Sequence, residues 1–292
     1  MAVTAFASAK VNLYLHVIGR QPDGYHLLDS LIAFADIGDR ITAKPAAALS
    51  LDVSGPEAAG LSAAVGDNLV LRAAHLLAEH HGTARGAALF LEKKLPVAGG
   101  LGGGSSDAAA ALRALTALWR LPIGEEALRG LGARLGADLP VCLYGSTAWV
   151  GGVGERIDPA PALPNVGIVL ANPRKPLPTA AVFAARYGPF GEAARFSPMP
   201  EDAVGLARAL RSRRNDLTDA AIALVPEIGT VLARLAGLPG ALIARMSGSG
   251  ATCFALFADR DAAAEAGVAL AAEEPGWWCA AGGLVAGGGL CG

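Results

Sequence analysis

The sequence has few cysteines, little net charge and no long apolar stretch, and each of these features argues against a class of protein. Its 292 residues include only 4 cysteines, none in a Cys-x-x-Cys pair or at metal-ligand spacing, which disfavours a disulfide scaffold and indicates free thiols in a reducing compartment. The net charge is only −2, so neither a nucleic acid nor an acidic membrane is an expected partner. No stretch approaches the roughly 20 apolar residues of a membrane span, and no signal peptide precedes the first strand. These features predict a cytoplasmic protein.

Hydrophobic residues, in contrast, make up 53% of the chain, which is ample for a core. A length of 292 residues suits two domains. Six prolines between Pro159 and Pro178 mark the expected crossing between them. We therefore predict an N-terminal domain over residues 1–160 and a C-terminal domain over residues 161–292, ending in a loosely ordered glycine-rich tail.

The most informative stretch is a glycine-rich loop between Pro96 and Ser105, which contains five glycines. A predicted strand over residues 86–95 leads into it, and an alanine- and leucine-rich helix follows from Ser105. Glycine lets backbone N–H groups converge where a Cβ would block a ligand, and the free N–H groups of a helix start attract anions. A helix cap needs fewer glycines, so we predict that this loop binds nucleotide phosphates.

The loop does not match the common phosphate-binding patterns. The Walker pattern requires a Gly-Lys pair, and the chain contains none. The dinucleotide pattern Gly-x-Gly-x-x-Gly also fails, because Gly100 and Gly102 are followed by Ser105 where the third glycine is required. The His-Arg-Asp and Asp-Phe-Gly motifs of protein kinases are missing from the sequence as well. A nucleotide-dependent oxidoreductase is therefore disfavoured.

The first predicted strand, over residues 3–19, carries two candidate functional residues. Its alternation of polar and apolar residues places Lys10 and Asn12 on one face and Leu15 on the other. A turn at residues 21–24 then leads to a second strand that begins near Tyr25 and His26. Considered without other motifs, Lys10 is typical of a solvated strand position, and Tyr25 and His26 of a half-buried strand start.

Periodicity and turn signals locate the remaining elements. Pro45 favours an edge or a break in the third strand. The other predicted strands lie at residues 41–53, 147–157, 166–171, 241–246, 252–258 and 277–281. The other predicted helices lie at residues 67–81, 124–135, 179–187, 201–213, 216–224, 227–236 and 261–272.

Two further segments favour a site between the domains. Asp138 precedes Leu139 and Pro140 in an apolar stretch, where it is either a helix N-cap or a carboxylate at the mouth of a cleft, and the two roles are compatible. The small loop Met246–Ala251 contains two glycines and could approach the phosphate loop from the other domain.

These motifs together resemble the GHMP kinases, the family of galactokinase, homoserine, mevalonate and phosphomevalonate kinases. The segments that carry the resemblance occur in one order: Ala9–Leu13, Asp23–His26, Leu95–Ala109, Leu135–Pro140 and Ser247–Thr252. The long glycine loop and the Gly-Tyr-His turn are most similar to the branch that phosphorylates the 2-hydroxyl of 4-diphosphocytidyl-2-C-methyl-D-erythritol in non-mevalonate isoprenoid synthesis. The resemblance implies an α+β fold, with an N-terminal domain like ribosomal protein S5 domain 2, a ferredoxin-like C-terminal domain and the active site between them.

The resemblance also implies roles for individual residues. Lys10 and Asp138 match the catalytic pair, and ATP with Mg²⁺ is the implied phosphoryl donor, although the protein ligands of the metal stay open. The implied nucleotide site comprises Asn68, Leu69, Lys93, Pro96, Val97, Ala98, Gly99, Gly100, Leu101, Gly102, Gly103, Gly104, Ser105 and Ser106. The implied alcohol site comprises Asn12, Tyr25, His26, Val153, Thr179 and Phe183, of which Tyr25, His26 and Phe183 would hold cytosine.

Two alternatives share many of these motifs. Another small-molecule GHMP kinase, of the homoserine or mevalonate type, would keep the loop but has no need for Tyr25 and His26. A non-catalytic regulator with the same fold could keep the loop and discard the lysine or the carboxylate, yet Lys10 and Asp138 are both present. The expected partner is a small molecule, and the expected assembly is a monomer or a weak homodimer.

Overall fold

The computed structural model describes residues 1–61 and 68–285. The helix start predicted at Asp67, and the glycine-rich tail beyond residue 285, lie outside the described residues. The strands are β1 (Val3–Arg20), β2 (His26–Ala46), β3 (Ser50–Ser54), β4 (Gly86–Glu92), β5 (Ala148–Gly152), β6 (Arg156–Pro159), β7 (Gly167–Asn172), β8 (Ile243–Met246), β9 (Cys253–Phe257) and β10 (Trp278–Gly283). The α-helices are α1 (Leu69–His80), α2 (Gly103–Trp119), α3 (Glu125–Ala133), α4 (Leu139–Tyr144), α5 (Thr179–Ala185), α6 (Ala203–Arg211), α7 (Thr218–Leu224), α8 (Glu227–Ala236) and α9 (Arg260–Glu273).

The N-terminal sheet has six strands and is organised around β2. β1 pairs antiparallel along one side of β2. The other side is shared by β5, at residues 28–32, and β4, at residues 40–46. β3 extends this sheet parallel to β4, and β6 extends it antiparallel to β5.

The length of β2 corrects the prediction of a separate strand over residues 41–53. β2 continues through Pro45 to Ala46, so residues 41–46 are strand as predicted but belong to the second strand, whereas residues 50–53 lie in β3. β1 begins its pairing at Val3, opposite Ala43, so beyond that point β2 has a partner on one side only. Proline is tolerated at such an edge position because no ladder hydrogen bond is lost there.

A bulge in β1 corrects the predicted facing of Leu15. Asn12 is paired with Ile32 but Tyr14 with Leu31, so Leu13 is an extra residue. A one-residue bulge shifts the alternation of side chains beyond it to the other face. Leu15 therefore lines the same cavity as Lys10 and Asn12, whereas strict alternation predicts the opposite side.

Helices cover one face of the N-terminal sheet, and the other face packs against the second sheet. α2 buries four consecutive alanines, residues 108–111, against this sheet and its neighbouring helices. On the opposite face, Val11 of β1 shares a core with Leu170 of β7 and Phe254 of β9. None of the helices within the described ranges has the length and apolar character needed to cross a bilayer.

The C-terminal sheet has the strand order β10-β7-β9-β8, with every neighbouring pair antiparallel. In chain order the unit is a strand, four helices, two strands, a helix and a strand, which is the split βαβ arrangement of a ferredoxin-like layer. Residues of α7, α8 and α9 bury the outer face of this sheet. The predicted α+β architecture with a ferredoxin-like second unit is thus confirmed.

Candidate active site

A cavity of about 920 Å³ lies where the two sheets meet and collects most of the predicted site residues. Its wall includes side chains from β1, β2 and α5 together with the glycine loop and the loop after β8. The predicted residues that line it are Lys10, Asn12, Tyr25, His26, Leu69, Ala98, Gly99, Gly100, Gly102, Gly103, Gly104, Ser105, Asp138, Val153, Thr179 and Phe183. Predicted site residues as far apart in the sequence as Lys10 and Phe183 therefore line one cavity.

The glycine loop delivers the start of α2 to this cavity. Ala98, Gly100 and Gly102 have positive φ angles of 54°, 75° and 62°. α2 begins at Gly103, two residues before the predicted start, and Gly102 occupies its N-cap without a side chain to cover the first turn. The N–H groups of that turn consequently face a cavity that can hold an anion, as a phosphate site requires.

The second glycine-containing loop closes over the first one, which confirms the predicted approach. The Ser247 hydroxyl donates to the Gly100 carbonyl at 3.1 Å, and the Thr252 N–H donates to the Gly99 carbonyl at 3.1 Å. A Cβ on Gly100 would lie 2.6 Å from the Gly250 carbonyl oxygen. Only glycine therefore fits at position 100, since both its φ angle and its neighbour exclude a side chain.

Lys10 and Asp138 form an ion pair on the cavity wall. The ammonium group donates to Asp138 Oδ2 at 3.0 Å, and the backbone N–H of Lys10 donates to the Leu101 carbonyl at 2.9 Å. Asp138 occupies the N-cap position of α4, but its side chain makes no capping hydrogen bond. Its carboxylate is thus directed to Lys10 and the cavity rather than to the helix.

Aromatic residues line another part of the cavity. The rings of His26 and Phe183 stack with centroids 5.2 Å apart and an interplanar angle of 28°, whereas Tyr25 is 66% exposed. Burial, together with the positive charges of Arg20 and Arg186, lowers the pKa of His26. A neutral imidazole beside Phe183 forms an apolar platform that suits a planar ring.

Lys93 occupies a buried ion cluster beneath the loop instead of the cavity wall. It is 2% exposed and donates to Asp39 at 2.5 Å and to Asp107 at 2.7 Å. Burial raises the pKa of Asp107 to about 8, with Asp39 adding to this shift and Lys93 opposing it. Burial acts to lower the pKa of Lys93, but the carboxylates of Asp107 and Asp39 raise it above its usual value. The cluster ties β2, the end of β4 and the start of α2 together.

Five other predicted nucleotide residues also lie outside the cavity wall. Asn68 caps α1 by accepting from the Val70 N–H at 2.9 Å. The Ser106 hydroxyl is buried and lies 3.4 Å from the sulfur of Cys142. The remaining three, Pro96, Val97 and Leu101, belong to the loop but do not line the cavity.

Several cavity residues were not predicted from the sequence. They include Arg20, Ser30, Arg186 and Ser249. Ser249 was within reach of sequence reasoning, because it belongs to the second glycine-containing loop. Ser30 was not, since a serine in an apolar strand carries no local signal of function.

The residues of the cavity wall can supply only part of the ligand set of a divalent cation. Over residues 1–61 and 68–285, no three His, Cys, Asp or Glu side chains are grouped as metal ligands. Mg²⁺ keeps several waters and binds through one or two carboxylates together with substrate phosphates. Asp138 and Ser105 supply oxygen atoms on the cavity wall, so the residues fit a metal that enters with a nucleotide rather than one held by the protein alone.

Comparison with known proteins agrees with this geometry. Residues 68–146 match the GHMP kinases N terminal domain, and residues 193–276 match the GHMP kinases C terminal domain. The 4-diphosphocytidyl-2-C-methyl-D-erythritol kinase of Paramagnetospirillum magneticum is 53% identical over 94% of this chain and 95% of its own length. The protein of the same name from Cereibacter sphaeroides is 54% identical over 94% of this chain and 97% of its own length.

Solved structures extend the comparison to the whole fold. A crystal structure of 4-(cytidine 5'-diphospho)-2C-methyl-D-erythritol kinase superposes with a TM-score of 0.77 at 38% identity, covering 98% of this chain and 100% of that one. Homoserine kinase from Cytophaga hutchinsonii superposes with a TM-score of 0.71 at 17% identity, covering 98% and 95%. The latter similarity concerns the fold alone.

Proposed function

This chain belongs to the GHMP kinase family, and we propose that it transfers the γ-phosphoryl group of ATP to the 2-hydroxyl of 4-diphosphocytidyl-2-C-methyl-D-erythritol. The products are the 2-phosphate and ADP. The observation that carries the proposal is the placement of the Lys10–Asp138 pair, the glycine loop and the His26–Phe183 stack around one cavity. Relatives named for this reaction match 94% of the chain.

Each part of the cavity wall has a role in the proposed reaction. Phosphoryl transfer requires an oriented hydroxyl, an in-line phosphate and stabilised charge. Asp138 orients the acceptor hydroxyl and takes its proton, while Lys10 holds this carboxylate in place and adds positive charge near the transferred group. The N–H groups at the start of α2 bind the phosphates.

The remaining residues bind the two substrates. Mg²⁺ would enter with ATP, near Asp138 and Ser105, and would supply charge neutralisation at the phosphates. We assign Lys93 a supporting role under the loop, because its ammonium is enclosed by Asp39 and Asp107. His26, Phe183 and Tyr25 hold the cytosine ring. We also propose a domain division near residue 160, between β6 and β7.

A coupled ADP-release assay over a panel of alcohols tests this proposal. The panel contains the cytidyl-diphosphate substrate, methylerythritol phosphate, homoserine and mevalonate. We expect ADP release with the first compound at an efficiency at least about 10²-fold above the others, because a pocket built for a base loses binding when the base is removed. Phosphorus NMR identifies the phosphorylated hydroxyl. Preferential use of homoserine or mevalonate would overturn the assignment.

A further inference from the structure

The side chain of Ser30 on β2 makes two hydrogen bonds, one with Tyr14 and one with Asn12, and Ser30 and Asn12 both line the cavity. Its hydroxyl donates to the Tyr14 carbonyl oxygen at 2.5 Å. The same oxygen lies 2.8 Å from the side-chain nitrogen of Asn12. Ser30 and Asn12 are 1% and 3% exposed, so these bonds are made away from bulk water.

The donor in each of these bonds is fixed by chemistry. A backbone carbonyl can only accept, so the single hydroxyl hydrogen of Ser30 is used on Tyr14. Toward Asn12 the Ser30 oxygen can then only accept, which requires the NH₂ half of the amide to face it. The backbone N–H of Asn12 is also anchored, by donating to the Ser247 hydroxyl at 3.2 Å. The orientation of the amide is therefore set by Ser30.

This orientation leaves an acceptor without a donor. Asn12 Oδ1 is buried and has no hydrogen-bond partner within residues 1–61 and 68–285, while Asn12 lines the cavity. Buried polar atoms are nearly always paired in folded proteins, and leaving one unpaired is costly. A ligand group that donates a hydrogen bond at this point removes the cost, and a group that only accepts does not.

We propose that Ser30 is a positioning residue that presents the carbonyl oxygen of Asn12 to the acceptor substrate, so that the site selects a hydroxyl donor at this position. The donor is a hydroxyl of the polyol other than the one that is phosphorylated. This inference rests on the proposed function, because it concerns the alcohol substrate of that reaction. Asn12 favours a substrate group that donates a hydrogen bond to its Oδ1. Ser30 keeps the amide in this orientation, because its own hydroxyl hydrogen is used on the Tyr14 carbonyl.

The orientation itself can be tested without any substrate. In protein labelled with ¹⁵N at asparagine, the side-chain amide protons of Asn12 should show nuclear Overhauser effects to the β protons of Ser30. In Ser30→Ala the amide loses its anchor, and its exchange with solvent should accelerate. Gly248 lies on the Oδ1 side of the amide, where an added Cβ would be 3.4 Å from Asn12 Oδ1. Contacts of the NH₂ group with Gly248 would overturn the proposal, because they would place Oδ1 toward Ser30.

The selectivity is tested by combining enzyme variants with substrate analogues that lack one non-reacting hydroxyl each. With the parent enzyme, one deoxy analogue should lose about 10-fold or more in kcat/KM. Ser30→Ala should lower kcat/KM for the full substrate and reduce this penalty to below about 3-fold, with an unchanged KM for ATP. Asn12→Leu should reduce the penalty in the same way, which keeps the test available if Ser30→Ala does not fold.

Thr147→Val is the matched control for these variants. Thr147→Val removes another buried hydroxyl, which has no partner in the described part of the chain and lies outside the cavity, and it should keep the full penalty. An equal penalty in the parent, Ser30→Ala and Asn12→Leu enzymes would refute the inference. Failure of the parent enzyme to use the cytidyl substrate would refute the proposed function instead, and the NMR result would still decide the orientation of Asn12.

Discussion

The Lys10 ammonium group meets Asp138 Oδ2 at 3.0 Å, although 128 positions separate the two residues along the chain. The two side chains differ in exposure, with 5% of Lys10 and 46% of Asp138 accessible. The lysine is thus held within the wall while the carboxylate reaches the open cavity. One oxygen of Asp138 is engaged by Lys10, and the other makes no hydrogen bond within residues 1–61 and 68–285, which leaves it available to a substrate hydroxyl.

Replacing Asp138 by asparagine separates the chemical role of this carboxylate from a structural one. Asp138 does not cap α4 through its side chain, and asparagine matches its shape. We expect Asp138→Asn to retain its melting temperature and to lose turnover by roughly 10²-fold or more, since proton transfer to a positioned base contributes about this much. Steady-state kinetics and calorimetry measure the two quantities.

The control for this variant is Asp158→Asn. Asp158 is also about half exposed and pairs with Arg195 at 2.7 Å, but it lies outside the cavity. It should keep normal turnover. Near-normal turnover of Asp138→Asn would leave this residue with a structural role only.

Two glycines offer a matched test of the phosphate site. An added Cβ on Gly104 in α2 or on Gly130 in α3 would meet no atom within 4 Å. Both substitutions by alanine should keep or raise stability, by up to about 1 kcal/mol, because alanine favours the helix. Only Gly104 lines the cavity, so only Gly104→Ala should weaken ATP binding, by about 10-fold or more, by filling space that a phosphate needs.

Isothermal calorimetry with ATP and thermal unfolding give both readings for this pair of variants. Equal ATP affinity in Gly104→Ala and Gly130→Ala would place the phosphates elsewhere. A loss of stability in Gly104→Ala would show that the first turn of α2 is constrained by something other than ligand space.

The aromatic platform predicts selectivity for the base of the substrate. Phe183 stacks on His26 at 5.2 Å, and stacking on a base contributes on the order of 1–3 kcal/mol. Phe183→Leu should raise the KM for the cytidyl substrate by roughly 10-fold, and Tyr25→Ala should do so as well, with little change in the KM for ATP. Phe90→Leu is the control, since Phe90 lies on β4 outside the cavity. Larger effects on ATP than on the cytidyl substrate would reverse the assignment.

The ion cluster beneath the loop predicts a pH dependence of stability. The pKa of Asp107 rises from 3.8 to about 8 on folding, chiefly through burial. The folded protein therefore binds more protons than the unfolded chain between about pH 4 and pH 8, and this group makes the free energy of unfolding fall as pH rises through that window. Asp107→Asn cannot ionise, so its free energy of unfolding should fall less than that of the parent protein.

Urea titrations at about pH 5 and about pH 8 measure this difference. Asp52→Asn, which removes an exposed carboxylate on β3, should follow the parent protein at both values. A parallel pH dependence of the parent and Asp107→Asn proteins would show that Asp107 stays ionised in the folded state throughout this range.

Local signals explain what could be predicted from the sequence. Asn68 is a strong N-cap followed by helical spacing, and α1 begins at Leu69, within two residues of the predicted start. The glycine loop could be recognised because few structures other than an anion site need so many glycines before a helix. The predicted order of strands and helices after Pro159 agrees with the ferredoxin-like layer that the family resemblance implies, since each element carries its own periodicity.

Long-range contacts explain what could not be predicted. The bulge at Leu13 depends on how β1 meets β2, and strict alternation gave the wrong side for Leu15. Lys93 precedes the loop and was expected to contact the nucleotide, but two aspartates from distant elements surround it. The stacking of His26 on Phe183 likewise depends on tertiary packing, because the two residues lie far apart in the sequence.

The second loop also constrains which changes in chain length the protein can tolerate. Two successive carbonyls of the phosphate loop, those of Gly99 and Gly100, are bound by Thr252 and Ser247. Their negative ends are consequently turned toward the second loop rather than toward the proposed phosphate site. An inserted or deleted residue in the turn Ser247–Thr252 would release both carbonyls and change the charge pattern that the nucleotide encounters. A change of length in this turn is therefore expected to be incompatible with ATP binding.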